Sequence, residues 1–211
     1  MSTALVLASA SPARLAVLRA AGIDPAVRVS DVDEDAVVAA LPADTPPAAV
    51  VVELARAKAE AVASTLPAGD CVVVGCDSML LIDGALQGKP GSAAEARKRW
   101  AAMAGRTGEL LTGHCVLRLR AGELIAEAAE HSGTTVAFGS PTPEQLETYL
   151  ATGEPLQVAG AFTLDGMGGW FVDRIEGDPS SVIGIGLPLL RRLLAEVGVD
   201  VTRLWSTEAS S

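Results

Sequence analysis

The chain has 211 residues, 49% of them hydrophobic, which is enough for one sizeable domain with a buried core. Its formal net charge of -10 excludes broad electrostatic binding to a nucleic-acid polymer or an anionic membrane surface, since both need an extended basic face. Any polyanion must be held locally, by a few converging Arg and Lys side chains with a divalent cation, and an aromatic content of 3% gives no platform for stacking single strands.

In chain order, Thr3-Ala4-Leu5-Val6-Leu7-Ala8 predicts a buried strand. It is preceded by neither a charged leader nor a cleavage pattern, so the expected location is the cytoplasm. Ser9-Ala10-Ser11 closes the strand, and Pro12 opens a short amphipathic helix over 13–21 that stops at Gly22. The free amides of that helix start and the donor fork of Arg14 make a phosphate seat; an ordinary corner capped by Ser11 is the plainer reading. A second strand follows over 26–30, and the acidic run 31–35 reads as a loop. Behind Pro46-Pro47 a long helix runs to about Leu66, with Lys58 beside its apolar stripe.

The run 71–76 is apolar enough to be a central strand, and Asp77 is expected at its end. Residues 79–87 form a hairpin around Asp83-Gly84, and Gly88-Lys89-Pro90 follows directly. Ser92 introduces a helix over 93–104, two strand-like segments meet at Ala121-Gly122, and a short helix covers 143–150. Residues 159–171 are Gly-rich and irregular, and an amphipathic helix over 187–197 closes the fold. The three cysteines, Cys71, Cys76 and Cys115, form no C-x-x-C pair and read as small core hydrophobes, while His114 and His131 lack metal spacing and read as structural or surface residues.

Ser9 with Arg14, Glu34, Lys58, and Asp77 with Lys89 sit on four separate elements at strand ends or loop edges, where an open α/β sheet forms its ligand crevice. Cations and amides suit phosphates; carboxylates suit a divalent metal and a water to be deprotonated.

These residues lie in segments that resemble the Maf family of nucleoside triphosphate pyrophosphatases along nearly the whole chain. Leu7-Ala8-Ser9-Ala10-Ser11-Pro12 with Arg14 is similar to the family's opening signature, Ala55-Arg56-Ala57-Lys58-Ala59 to its helix lysine motif and Val74-Gly75-Cys76-Asp77-Ser78 to its catalytic strand. Gly88-Lys89-Pro90, Glu154-Pro155 through Ala159-Gly160-Ala161-Phe162, Ile175-Glu176-Gly177-Asp178 and Gly186-Leu187-Pro188 follow in the family's order. The resemblance implies a single domain over 1–211 of the α/β class, with a mixed twisted sheet, flanking helices and two lobes around a nucleotide cleft, as in inosine triphosphatases. It implies hydrolysis of canonical or modified (d)NTPs to the monophosphate and pyrophosphate with Mg²⁺ or Mn²⁺, a homodimer, and a historical link to cell-division arrest. By the same resemblance Asp77 is the proton acceptor, Ser9, Arg14, Lys58 and Lys89 bind phosphates, and Glu34 joins Asp77 near the metal.

Departures from the family bear on the base. Ala13 stands where many members carry a second arginine, Ser78 replaces the Thr or Gln after the catalytic Asp, and Asp165 replaces a glutamine of the pyrimidine-preferring branch and is a candidate substrate contact. The segment 179–186 is about two residues longer than the family loop. Two other readings exist. A nucleotidyltransferase would need a glycine-rich loop that 9–12 does not supply, and a non-enzymatic nucleotide-binding regulator of cell division would leave a triphosphate intact.

Overall fold

The computed structural model describes residues 3–206. Among the described residues no helix is long and apolar enough to cross a membrane. The first strand, β1 (Ala4–Ala8), leads through the Ser11 cap, whose hydroxyl accepts the Arg14 N–H, into α1 (Pro12–Ala20). Next come β2 (Ala26–Val27), α2 (Glu34–Ala40), α3 (Pro47–Ala63), β3 (Cys71–Ile82), β4 (Ala85–Gln87) and α4 (Ala93–Met103). The remainder is β5 (Thr107–Arg120), β6 (Glu123–Phe138), α5 (Pro143–Ala151), β7 (Val172–Glu176), α6 (Pro179–Ile183) and α7 (Leu187–Glu196).

Seven strands form one mixed sheet in the order β2-β1-β3-β5-β6-β7, with β4 also paired to β3. β1 runs parallel to β2 and β3; the other pairs are antiparallel. Asp83 and Gly84, with φ of 52° and 75°, make the tight turn that the Asp-Gly pair predicts. The long strands β3 and β5 pass through two bodies. In one, Val72, Val74 and Cys76 pack under Leu189, Leu190, Leu193 and Leu194 of α7, while α3 covers Val73, Cys115 and Leu117 on the opposite face. In the other, Leu80, Ile82 and Leu110 join Trp100, Phe138, Tyr149 and Phe162, where edge-to-face pairs such as Phe138–Phe162 at 5.0 Å fill the core.

Several expectations are corrected. The second strand is two residues long: the Arg28 N–H still donates to the Leu7 carbonyl at 3.0 Å, and Val29 and Ser30 lie beyond the pairing with β1. The acidic run does not stay a loop: the Asp33 side chain accepts the Ala36 N–H and opens α2, whose first turn holds Glu34 and Asp35 where the helix dipole favours anions. The helix expected to reach Leu66 ends at Ala63. Asp77 is not at a strand end. It lies inside β3, which continues to Ile82 because β5 pairs with it from Cys71 to Leu81. The segment 179–186 is partly helical, as α6, with Asp178 as its cap, and the short strand β7 precedes it.

Candidate active site

Asp77 can sit in mid-strand because the other edge of β3 is interrupted there. On that edge β1 pairs with β3 only as far as Ala8 opposite Gly75, and β4 begins only with Gln87 opposite Leu80. The intervening residues, Cys76 to Met79, face a gap in the sheet. Ser9 directly follows the last residue of β1 and Lys89 comes two residues after β4, so the two strand ends flank Asp77. The crevice thus forms at strand ends, as the sequence suggests, but at those of the neighbours of β3.

The gap opens into a cleft of about 520 Å³ lined by Ser9, Arg14, Glu34, Lys58, Asp77, Lys89 and Asp165, so every sequence-predicted site residue meets there. Apolar wall comes from Leu110, Val158, Phe162 and Val182.

Strand alternation sorts the approaches. Val73, Gly75 and Asp77 face α3, and Gly113, opposite Asp77, faces it too. A Cβ on Gly75 would collide with the Ala55 carbonyl, and one on Gly113 with the Val51 carbonyl, so both glycines let α3 lie flat on the sheet. That close seat brings Lys58 Nζ within 2.5 Å of Asp77 Oδ1 and 2.8 Å of Glu34 Oε1. Lys58 and Asp77 are 8% and 6% exposed, so the charges need each other.

Ser78 points to the other face. Its hydroxyl lies 3.1 Å from Thr112 Oγ1 and accepts from Arg14 Nη2 at 3.2 Å. Arg14 also donates from Nε to the Gly184 carbonyl at 2.8 Å and from Nη1 to Ser9 Oγ at 3.1 Å. Its guanidinium is therefore fixed in direction before any ligand arrives. Behind it, His114 donates from Nδ1 to the Thr112 carbonyl and accepts the Gly186 N–H on Nε2 at 2.8 Å, tying β5 to the loop that carries Gly184. Burial, helped by the field of Arg14, pushes the His114 imidazole down to about 4. It is a structural histidine, as its lack of metal spacing suggests.

Burial raises the Asp77 carboxyl above its ordinary value, against the opposing pull of Lys58 and Arg14. For Glu34, burial pushes upward too, but contact with Lys58 and the fields of Lys89 and Arg14 outweigh it and hold the carboxyl low. Among the described residues, no three His, Cys, Asp or Glu side chains gather into a metal cage. Glu34 and Asp77, joined through Lys58, are hard oxygen donors of the kind Mg²⁺ uses one or two at a time alongside substrate phosphates.

Thr112 and the Gly184 carbonyl support this site without a readable signal. Their parts depend on which residues lie opposite them in space.

The family model described as Maf-like protein matches residues 4–197. The chain is 75% identical over 207 residues to the nucleoside triphosphate pyrophosphatase of Nocardia farcinica (strain IFM 10152), an alignment spanning 97% of this chain and 98% of that one. It is 68% identical over 208 residues to a protein of the same name from Rhodococcus opacus (strain B4), spanning 97% of each. It is 58% identical over 207 residues to one from Mycobacterium leprae (strain Br4923), again spanning 97% of each.

Proposed function

The chain belongs to the Maf family, and from that premise we propose that it is a nucleoside triphosphate pyrophosphatase, a hydrolase that cuts between the α- and β-phosphates. The observation that carries the reading is the buried Asp77 carboxylate in the sheet gap, 2.5 Å from Lys58 and flanked by Ser9 and Lys89 on adjoining strand ends.

Ser9, the amides at the start of α1 and the preset fork of Arg14 hold the phosphate chain, with Lys58 and Lys89 adding charge. Asp77 accepts the proton of the attacking water, a service typically worth about 100- to 10,000-fold. Lys58 keeps that carboxylate ionised against its burial. The anhydride bridge then breaks, the water oxygen stays on one phosphorus, and pyrophosphate leaves the monophosphate. Cleft cations Arg14, Lys58 and Lys89 are matched one for one by Glu34, Asp77 and Asp165, so a triphosphate brings negative charge that the side chains alone do not offset. A divalent cation, Mg²⁺ or Mn²⁺, held by Glu34 and Asp77 would supply that charge and polarise the phosphoryl oxygens. The working place is the cytoplasm, where nucleoside triphosphates are pooled, and the role is removal of non-standard nucleotides.

The test is a panel of canonical and modified triphosphates assayed with Mg²⁺ for pyrophosphate release. Release without a second substrate supports the hydrolase. A requirement for a second substrate points to a transferase, and intact triphosphate with measurable binding points to a regulator.

A further inference from the structure

The Gly-rich segment after Phe162 is held by a carboxylate outside the cleft. Glu154, in the 3₁₀ turn Glu154–Gln157, accepts the Thr163 hydroxyl on Oε1 at 2.5 Å and the Gly168 N–H on the same oxygen at 3.0 Å. Its Oε2 accepts the Met167 N–H at 3.1 Å. The turn 163–168 is wrapped around this carboxylate so tightly that a Cβ on Gly166 would stand 2.8 Å from both of its oxygens. The buried Tyr149 hydroxyl backs the same turn, and a Cβ on Gly168 would collide with it. Burial pushes the Glu154 carboxyl up, but the Thr163 hydroxyl and the two amides outweigh that and hold it below the usual carboxylate range. It accepts from three donors at once.

Thr163 and Asp165 of this turn line the cleft, on the wall formed with Gln157, Val158 and Phe162. That stretch mixes apolar surface with a few polar groups, the make-up of a nucleoside subsite. We propose that Glu154 is a positioning residue for substrate selection: by closing the turn 163–168 around its carboxylate, it presents Thr163 and Asp165 to the nucleoside end of the substrate. The inference rests on the pyrophosphatase reading for its substrate and on the nest geometry for its mechanism.

Glu154→Gln keeps the size but turns an amide NH₂ toward at least one loop donor, so a bond is lost and two donors face each other. Steady-state kinetics on GTP, ATP, UTP and dTTP should show KM raised about tenfold, the scale of one lost hydrogen bond to a charged group, with kcat changed less than about threefold. The kcat/KM values for the four bases should draw together, while the inhibition constant of inorganic tripolyphosphate, which has no nucleoside, stays unchanged. Unchanged KM values and base ratios overturn the proposal, as does an equal weakening of tripolyphosphate, which would mean the whole cleft had collapsed. Should Glu154→Gln fail to fold, Gly166→Ala, whose Cβ would stand 2.8 Å from both carboxylate oxygens at a residue outside the cleft lining, loosens the nest and is read the same way. Hydrogen exchange separates this inference from the activity itself: at least one of the Met167 and Gly168 amides, which bond different oxygens of Glu154, should lose protection in Glu154→Gln while those of β3 keep theirs, whether or not any triphosphate is cleaved. Retained protection at both amides overturns the nest.

Discussion

Lys58→Met tests the buried charge arrangement at its centre. Two unit charges 2.5 Å apart attract by roughly 7 kcal/mol at an effective dielectric of about 20, and desolvation of both groups cancels most of that in the intact pair. Removing only the lysine leaves the cancellation undone. Asp77, 6% exposed, is then an uncompensated buried carboxylate, and the expected cost is about 3–5 kcal/mol of unfolding free energy. Asp77→Asn should cost less, about 1–2 kcal/mol, because Lys58 keeps Glu34 at 2.8 Å and the amide oxygen can still accept from it. In the double variant neither charge is stranded, so the second change should restore part of what the first removed. Urea unfolding of the four proteins, in chelator so that no cation substitutes for the lysine, should give a coupling energy of at least about 2 kcal/mol. Additive effects within about 0.5 kcal/mol would refute the reasoning, since groups that do not share a buried pair behave that way.

Other outcomes follow from the same geometry. Arg14→Ala should raise KM for triphosphates more than Lys89→Ala, because the Arg14 fork is preset by Ser9, Ser78 and Gly184 whereas Lys89 is exposed; equal effects in steady-state assays would count against the preset fork. The neutral His114 ring stabilises the fold fully above the unfolded value of about 6.5, and that contribution is lost as the pH falls toward its folded value of about 4. The total is on the order of 3 kcal/mol, checked by unfolding at stepped pH with NMR of the imidazoles, and a His114 ring that titrates near 6.5 would contradict it. Asp165→Gln should raise kcat/KM for UTP relative to GTP, since an ionised carboxylate favours base edges rich in N–H donors over uracil carbonyls. An unchanged ratio would remove Asp165 from base reading and turn attention to Ser78 or Ala13.

The strands and helices that carry the site were legible because their signals are local. Pro12 after a buried apolar run, the Asp83-Gly84 turn and the Ser92 cap each fix an element by their own chemistry. Asp77 was legible as a functional residue but its setting was not. A carboxylate after six apolar residues looks like a strand end, and only the pairing of β5 across Gly113 carries β3 past it. The acidic run concealed a cap, since Asp33 followed by Glu34 and Asp35 is both a solvated loop and a good helix start; Val37 and Val38 did not mark an amphipathic face clearly enough to decide. Glu154 lay inside a recognised motif, yet its hold on Met167 and Gly168 spans a chain separation that no sequence periodicity encodes.

The most direct test of the central claim is ³¹P NMR of the products formed from a nucleoside triphosphate and Mg²⁺ by the wild-type chain and by Asp77→Asn. The account predicts nucleoside monophosphate and pyrophosphate in equal amounts from the wild type, and a rate lower by about 100-fold or more from a folded Asp77→Asn protein. Nucleoside diphosphate with orthophosphate, or a folded Asp77→Asn protein that turns over at the wild-type rate, would contradict it.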